Sequence, residues 1–143
     1  MDIFKLPIRF EAIPFCKEGN SFSFLLVKRV PDDGGFWQPI TGTLESNESL
    51  AECMYRELVE EIGVTKEDIK QVSDMFYSFM WLKGETAITE YVFGVELATK
   101  KEALLSEEHD EYRWCSYDEA LELLSKDNNK KAYEEFKKKF LLA

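Results

Sequence analysis

The apolar positions of the chain change period several times, and each change predicts a different element. Residues 21–30, SFSFLLVKRV, contain the continuous apolar run LLV, which is typical of a strand buried on both faces. Residues 4–15 alternate loosely and include two prolines, which predicts one or two strand pieces at a sheet edge or with a bulge. Residues 69–82 and 87–98 are rich in aromatic and β-branched side chains, so they predict one long antiparallel hairpin.

A helical period begins near Leu50. Apolar residues recur there at four-residue spacing, which predicts a helix from Leu50 to Ile62. The expected buried stripe is Leu50, Met54, Leu58 and Ile62, widened by Ala51, Tyr55 and Val59. Ser49 and Glu52 form a capping-box pattern at the start of this helix, and Gly63 can supply the left-handed residue at its end.

The C-terminal third predicts a short strand and two helices. An acidic connection over residues 100–110 precedes EYRWCS, which is typical of a strand. Ser116 and Glu119 form another capping-box pattern, and Asp127 or Asn128 can cap the last helix, where aromatic residues recur every three or four positions. Strands interleaved with helices predict the α/β class with a mixed sheet between helices, and residues 1–143 are expected to form a single domain.

Composition and charge narrow the classes of protein. With 143 residues and 45% hydrophobic content, the chain can bury a core without a disulfide or a structural metal. Cys16, Cys53 and Cys115 are widely spaced, which favours free thiols in a reducing compartment. The pattern contains neither a long apolar run nor a signal peptide, so we expect a cytoplasmic protein without a membrane partner. The net charge of −10 argues against nucleic acid as the main partner.

Charged residues of the Leu50 helix point to a metal site. Glu57, Glu60 and Glu61 stand at i, i+3 and i+4, so their carboxylates share one face and repel, and Arg56 offsets only part of that repulsion. A hard divalent cation would compensate, and Mg²⁺ favours a few carboxylates together with phosphate oxygens and water. A solvated acidic surface is the commoner explanation of such a face, but the turn before this helix favours the metal.

Residues 42–64, GTLESNESLAECMYRELVEEIGV, match G-x5-E-x7-R-E-U-x-E-E-x-G-U, where U is apolar. This pattern resembles the Nudix box, and the chain is identified as a member of the Nudix hydrolase family. The resemblance implies an α/β/α sandwich with a mixed sheet, and hydrolysis of a phosphoanhydride bond with Mg²⁺, for which Mn²⁺ would be a substitute. It also implies metal binding by Glu57, Glu60, Glu61 and the main-chain carbonyl of Thr41.

The resemblance implies roles for further residues. Glu57 is a candidate for the base that activates water, and Arg56 would orient the carboxylates. Glu45 and Glu48 would either contact the metal ligands or be structural. An acidic residue outside the box often completes the metal or base constellation in this family. Glu108 is our candidate for that residue, with Glu107 next, although a solvated acidic loop explains both equally well. For His109 we favour a structural or substrate-gating role.

Several residues outside the box have two open interpretations. Lys28 and Arg29 are either solvated charges at a strand end or phosphate contacts. Trp37 is expected to support the loop by packing. Aromatic residues of the predicted hairpin are expected in the core, but Tyr77 or Phe79 is our choice if one of them stacks on a base or pterin ring.

Two stretches bear on the substrate. FWQPITGTLE resembles the start of the box in triphosphate-cleaving members, and EHDEYRWCSYDEALELLSKDNNKKAYEEF resembles the C-terminal part of the bacterial dihydroneopterin triphosphate and dATP pyrophosphohydrolases. These resemblances imply cleavage of a triphosphate to a monophosphate and pyrophosphate. Dinucleoside polyphosphates, ADP-ribose and nucleotide sugars remain alternative substrates. A non-catalytic nucleotide-binding module is an alternative of another class, against which the complete acidic set argues. Family members are often homodimers.

Overall fold

A computed structural model describes residues 5–141, and for Lys5 it describes the backbone only. Phe4, Leu142 and Ala143, which the sequence-based predictions include in the first strand and the last helix, lie outside these residues. The strands are β1 (Lys5–Glu18), β2 (Ser21–Arg29), β3 (Trp37–Gln38), β4 (Ile40–Glu45), β5 (Ile69–Val72), β6 (Tyr77–Lys83), β7 (Thr86–Leu97) and β8 (His109–Cys115). The helices are α1 (Leu50–Ile62), α2 (Tyr117–Leu123) and α3 (Asp127–Phe136), and a π-helical turn follows at Lys137–Leu141.

The eight strands form one mixed sheet. The main path through it is β3-β2-β1-β7-β5, with β4 on β1, β6 on β7 and β8 on β2. Among the strand pairs of residues 5–141, β1 and β7 run parallel, from Ile8 opposite Thr89 to Phe15 opposite Glu96, and the others are antiparallel. The predicted mixed sheet is therefore confirmed.

A fork between β1 and β2 positions the segment before α1. The two strands pair only near their hairpin, over Phe15–Glu18 and Ser21–Phe24. The first half of β1 pairs instead with β4, and the second half of β2 pairs with β3. Because β3 and β4 follow one another in the chain, they occupy this fork and carry the chain directly into the loop before α1.

Two hydrophobic cores lie on opposite faces of the sheet, because alternate residues of each strand point to opposite sides. Phe10, Ala12, Leu25 and Val27 pack with α1 residues such as Leu58. Ile13, Phe15, Phe24 and Leu26 pack with residues of α2 and α3, including Ala120, Tyr133 and Phe136. Leu25, Leu26 and Val27 are all buried, as the LLV run predicts. The layers confirm the predicted α/β/α sandwich.

Helix α1 begins and ends as the sequence predicts. Ser49 and Glu52 form a reciprocal capping box, and Gly63 takes a left-handed conformation with φ 70°. The buried stripe is narrower than predicted, since Ala51 and Val59 are exposed, Val59 at 49%. Cys53 is buried in their place, with its Sγ 3.4 Å from the carbonyl oxygen of Thr43 in β4. The stripe lies on this side because β4 is the strand that α1 contacts most.

The structure corrects one prediction about strands. Residues 69–82 do not form one strand, because β5 and β6 pair with separate parts of β7. Val72 pairs with Val95 and Tyr77 with Val92, so four intervening residues stand opposite two, and the excess bulges out of the ladder. The second strand of the predicted hairpin is confirmed.

For the first strand, the prediction left a sheet edge or a bulge open. Strand β1 is central in the sheet, and its register shift before Arg9 confirms the bulge.

The start of α3 also differs from the prediction. Lys126 occupies the N-cap position without a side-chain cap, and Asp127 and Asn128 lie inside the helix. An acidic side chain in the first turn still complements the helix dipole, which accounts for Asp127 there. The predicted Ser116–Glu119 capping box of α2 is confirmed, as are the three free cysteines. Over residues 5–141, none of the helices has the length and apolar content needed to cross a membrane.

Candidate active site

Three glutamates of α1 converge as the sequence predicts. One carboxylate oxygen from each of Glu57, Glu60 and Glu61 lies within 4.8 Å of the other two. Glu61 is buried, Glu57 is partly buried and Glu60 is exposed, so the group lies at the border between the core and solvent. Burial raises the pKa of Glu57, Arg56 opposes the rise, and the charges of Glu60 and Glu61 add to it. We call these three residues the acidic triad.

Arg56 links the triad to the loop before the helix. Its Nη1 donates to Glu57 Oε1 at 2.8 Å and to Glu60 Oε2 at 3.3 Å. Its Nε and Nη2 donate to the two oxygens of Glu48 at 3.1 and 2.8 Å. The Arg56 hydrogen bonds, joined by the Glu45 backbone N–H, lower the pKa of Glu48 to about 2. Arg56 therefore holds carboxylates on both sides of itself. The orienting role of Arg56 and the roles of Glu45 and Glu48 stay predictions.

Gly42 allows the loop to approach Glu57 closely. A Cβ atom at this position would lie 2.7 Å from Glu57 Cγ and 2.6 Å from Phe10 Cε1, which is too close for any side chain. The backbone next to Thr41 is thus packed against the triad. The Thr41 hydroxyl accepts a hydrogen bond from Arg9 Nη2 at 2.9 Å. The role of its carbonyl as a metal ligand stays a prediction.

His109 holds Glu61 from the other side. Its Nδ1 lies 2.9 Å from Glu61 Oε2, and its Nε2 lies 3.1 Å from Gln38 Nε2. The Ser106 hydroxyl donates to the same Glu61 oxygen at 2.9 Å. Burial alone would raise the pKa of Glu61, but the contacts with His109 and Ser106 outweigh it and hold that pKa below its usual value. The buried histidine thus has the structural setting that we favour for it.

Glu107 and Glu108 lie in the turn before β8 and are exposed, and neither carboxylate belongs to the triad. The backbone of Glu108 is fixed, since its carbonyl accepts from Val30 N–H at 3.1 Å and its N–H donates to Ser106 Oγ at 3.3 Å. Ser106 contacts Glu61, so this turn adjoins the triad. A metal or catalytic role for Glu108 stays a prediction.

A pocket of about 370 Å³ lies on the α3 side of the sheet and shares no lining residue with the triad. We call it the β6–α3 pocket. It connects to the triad through Thr41, which precedes Gly42, and through Gln38, whose side chain contacts His109. Its lining residues are Arg9, Arg29, Phe36, Gln38, Thr41, Phe79, Trp81, Glu90, Lys126, Asn128 and Asn129.

The pocket is locally rich in cations although the chain is acidic. Arg9, Arg29 and Lys126 line it, and Glu90 is the carboxylate in its lining. The Lys126 Nζ lies 4.6 Å from the centre of the Phe36 ring, and the Arg29 guanidinium lies 5.6 Å from the same ring. Arg29 also forms an ion pair with Asp33. Positive charge is thus held next to the negative triad, an arrangement suited to a phosphate chain.

Part of this pocket was predicted from the sequence, since Arg29 and Phe79 line it. Lys28 pairs with Glu111 instead, and Tyr77, which packs against the same core as Phe79, lies outside the pocket lining. Trp37 packs against the same core, as predicted. The sequence-based predictions did not place these lining residues in a site: Arg9, Trp81, Glu90, Lys126 and Asn129. A charged residue inside an otherwise apolar strand, such as Glu90, was the sequence signal that could have predicted this part of the pocket.

A larger cavity, of about 530 Å³, lies elsewhere, next to the bulge between β5 and β6. Its lining includes Phe15, Ser73, Phe76 and Phe140 but none of the triad or the residues that hold it. Size alone therefore does not identify the reactive centre. The oxygen-rich triad is the better candidate, because its carboxylates suit a hard divalent cation such as Mg²⁺.

The sandwich carries its acidic triad on one helix that follows a tight loop, an arrangement that suits a divalent metal. A family comparison makes this specific: residues 6–139 match the NUDIX domain model. The chain therefore belongs to the Nudix family, and the predicted membership of this hydrolase family is confirmed.

Individual relatives differ in how much of their length the chain spans. It is 36% identical over 123 residues to an octanoyltransferase of Myxococcus xanthus. The matched segment is 82% of this chain but only 33% of that protein. It is 28% identical over 126 residues to a dihydroneopterin triphosphate diphosphatase of Haemophilus influenzae, covering 78% of this chain and 77% of the relative. An Ap4A hydrolase structure from C. elegans has a TM-score of 0.81 at 20% identity, covers 94% and 97% of the two chains, and supports the fold.

Proposed function

We propose that the protein is a metal-dependent pyrophosphohydrolase that cleaves a nucleoside triphosphate, or a related triphosphate of the dATP or dihydroneopterin triphosphate type, to the monophosphate and pyrophosphate. The observation that carries the proposal is the acidic triad of Glu57, Glu60 and Glu61 beside a pocket lined by three cations. A metal-binding centre next to a phosphate-attracting pocket suits a polyphosphate whose other end is a flat ring.

Glu57, Glu60 and Glu61 would hold the metal, and Thr41 and Glu108 are further candidates for ligands. When bound, Mg²⁺ would neutralise charge on the phosphate oxygens and so favour attack at phosphorus. The triad fits this ion because it offers several carboxylate oxygens in one small volume. The same carboxylates repel a free triphosphate, so the proposed activity depends on the metal.

The chain's own residues would supply orientation and proton transfer. Glu57 is our candidate for the base, because burial raises its pKa and makes its carboxylate a better proton acceptor. Arg56 would keep one Glu57 oxygen occupied by a hydrogen bond of 2.8 Å, which leaves the other oxygen to receive a proton from water. Arg29 and Lys126 would bind phosphate oxygens as positioned cations.

Support for the substrate class comes from two directions. A relative similar to this chain over 78% of its length is named dihydroneopterin triphosphate diphosphatase. The pocket has aromatic walls from Phe36, Phe79 and Trp81, which suit a flat heterocycle. A volume of about 370 Å³ falls in the range typical of small-molecule sites.

The test is product analysis with purified protein. Pyrophosphate, phosphate and the organic product are measured for dATP, other nucleoside triphosphates, dihydroneopterin triphosphate, diadenosine tetraphosphate and ADP-ribose, each with Mg²⁺ and with excess EDTA. Pyrophosphate release from a triphosphate that EDTA abolishes is the expected result. Full activity in EDTA would overturn the metal dependence.

The other outcomes separate the competing functions. Turnover of only the dinucleoside polyphosphate or the sugar diphosphate would keep the box chemistry and reject the triphosphate. Nucleotide binding in a thermal-shift assay without any product over hours would favour a regulatory binding module.

A further inference from the structure

A second group of acidic side chains lies in the β6–α3 pocket, apart from the triad. Glu90 of β7 lines the pocket and is 5% exposed, and Glu11 of β1 is completely buried beside it. Both belong to the face of the sheet that α3 covers, whereas the triad approaches β4 from the α1 side. Burial of two neighbouring carboxyl groups is costly unless hydrogen bonds satisfy them. Their partners therefore show what the group does.

The partners form a chain of contacts across the pocket wall. Trp81 Nε1 donates to Glu90 Oε1 at 3.1 Å, and Arg9 Nε lies 3.4 Å from the same oxygen. The carboxyl group of Glu11 lies beside that of Glu90, and among the described residues its Oε2 has no hydrogen-bond partner. Asn129 Nδ2 of α3 donates to Glu11 Oε1 at 2.7 Å. Glu11 thus joins Glu90 to Asn129, and through them it joins β7 to α3.

Two adjacent buried carboxyl groups resist ionising together. Burial and the negative charge of Glu90 raise the pKa of Glu11 well above its usual value. Burial also raises the pKa of Glu90, but Arg9 and the Trp81 N–H oppose that rise. Of the two groups, Glu11 is therefore the one placed to hold a proton towards Glu90, while its Oε1 accepts from Asn129.

These contacts fix which atoms face a ligand. Asn129 uses its donor, Nδ2, on Glu11, so its acceptor, Oδ1, is the amide atom left for the pocket. Glu90 retains acceptor capacity, since a carboxylate has about four lone-pair sites. The polar end of the pocket therefore presents two acceptors, between the aromatic walls formed by Phe36, Phe79 and Trp81.

We infer that this end of the pocket binds the edge of a heterocycle that carries a ring N–H beside an exocyclic amino group. Guanine and pterins have this edge on their 2-amino-4-oxopyrimidine ring. Two adjacent donors match Glu90 and Asn129 Oδ1. Adenine has a ring-nitrogen acceptor beside its amino group. That acceptor would face a carboxylate with no proton between the two, so it could not form a hydrogen bond there. This inference rests on the proposed function and selects among its substrates. Glu90 and Asn129 are specificity-determining residues, and Glu11 is a positioning residue that acts through both.

The test compares GTP, ITP, ATP and dihydroneopterin triphosphate as substrates of the wild-type protein with Mg²⁺. ITP differs from GTP only by the missing amino group. We expect kcat/KM to fall about 10- to 100-fold from GTP to ITP, as for one lost hydrogen bond to a charged group. ATP should be poorer than GTP, and the pterin substrate should match or exceed GTP. Equal turnover of GTP and ITP, or a preference for ATP, would overturn the inference.

Failure of the proposed function gives a different result. If the protein cleaves none of the triphosphates, equilibrium binding of GMP, IMP and AMP measured by calorimetry decides the matter. Tighter binding of GMP than of IMP and AMP supports the inference without any catalysis, and equal binding of the three rejects it.

Variants identify the residues that cause the discrimination. Glu90→Gln replaces an acceptor oxygen with a donor and should reduce the GTP-to-ITP ratio of kcat/KM towards one. Glu96→Gln is the matched control, because Glu96 is an equally buried glutamate of the same strand, bonded to Gln71 and outside the pocket lining. It should leave that ratio unchanged. A GTP-to-ITP ratio of kcat/KM near one in both variants would contradict the assignment of Glu90 as a specificity-determining residue.

Glu11 has its own pair of variants. Glu11→Gln can still donate to Glu90 and accept from Asn129, so it should keep the GTP-to-ITP ratio. Glu11→Leu fills similar space without either bond and should lower the ratio through KM while kcat stays near the wild-type value. An unchanged ratio in Glu11→Leu would remove the positioning role. If this variant does not fold, the comparison of substrates with the wild-type protein still decides the inference.

Discussion

At the scale of single residues, the triad combines three environments within one helix face. Glu60 is exposed, Glu57 is partly buried and Glu61 is buried beneath His109 and Ser106. These environments shift the pKa values in opposite directions. Burial raises the pKa of Glu57, whereas contacts with His109 and Ser106 lower the pKa of Glu61. Three chemically identical side chains are therefore suited to different tasks. Only the i, i+3, i+4 spacing was visible in the sequence.

Removing one triad charge should abolish catalysis without unfolding the protein. We expect Glu57→Gln and Glu60→Gln each to lower kcat by orders of magnitude, because both carboxylates are proposed to bind metal and Glu57 is also the candidate base. Steady-state kinetics and circular dichroism provide the measurements. Glu52→Gln is the control on the same helix, since glutamine also completes a capping box. Near-normal turnover in both triad variants would remove the assignment.

The Glu48–Arg56 pair should make stability depend on pH in acid. Arg56 lowers the pKa of Glu48 from 4.5 to about 2, so the stabilisation is complete above pH 4.5 and is lost as the pH falls towards 2. Glu48→Gln should therefore cost about 1–2 kcal/mol at neutral pH and much less in strong acid. Urea unfolding of both proteins across this range measures the difference. A difference that does not change with pH would show that the charge of Glu48 is not responsible.

At the scale of elements, the loop from β4 into α1 is as important as the helix. Gly42 brings the backbone against Glu57 Cγ, and Ser49 then starts the helix with a capping box. The loop and the helix therefore fix the position of Glu57 together.

Gly42→Ala tests that fit. The added Cβ would overlap Glu57 and Phe10, so we expect a loss of about 1–3 kcal/mol in stability and a clear fall in kcat as Glu57 moves. Gly19→Ala serves as the comparison, since a Cβ there meets no atom within 4 Å and only its φ of 62° is unfavourable. Chemical unfolding and kinetics would be measured on both variants. Equal kcat in wild type and Gly42→Ala would show that Glu57 tolerates displacement.

Local patterns predicted those elements whose causes are local. Ser49, Glu52 and Gly63 determine the ends of α1, and all three act within a few residues. The division between β5 and β6 was not predictable, because it depends on which residues of β7 lie opposite Val72 and Tyr77. The exposure of Val59 likewise depends on where α1 lies over β4. Hydrophobic periodicity indicates which face of a strand is buried. It does not indicate which residues of a distant strand lie opposite.

At the scale of the whole molecule, the sequence motif contributes the triad, and the fold contributes the pocket. Arg9, Arg29, Phe36, Trp81, Glu90, Lys126 and Asn129 come from distant parts of the chain and meet only when the sheet and α3 are assembled. Phe36, Lys126 and Asn129 lie in the two stretches that resemble triphosphate-cleaving enzymes, whereas Arg9, Arg29, Trp81 and Glu90 have no motif around them. Substrate specificity was therefore the least predictable property from sequence, whereas family and fold class were readily predicted.

Metal binding should stabilise the whole domain. An ion that binds the folded triad but not the unfolded chain adds about 2.7 kcal/mol at 100 times its dissociation constant. We expect Mg²⁺ to raise the unfolding temperature of the wild type and of Glu52→Gln, and to have little effect on Glu57→Gln. Differential scanning calorimetry with Mg²⁺ and with EDTA makes the comparison. The same rise in Glu57→Gln would place the stabilising ion elsewhere.

The parallel pairing of β1 with β7 has a consequence for the order of folding. Ile8 pairs with Thr89, so this contact closes a loop that contains the whole of β2 to β6 and α1. Closing so long a loop costs entropy before any contact repays it, which places this step late and makes it slow. The hairpins β1–β2 and β6–β7 are local and form without it. Glu11 and Glu90 lie on the two strands of this contact, so we expect the β6–α3 pocket to assemble after α1 has formed its own local contacts.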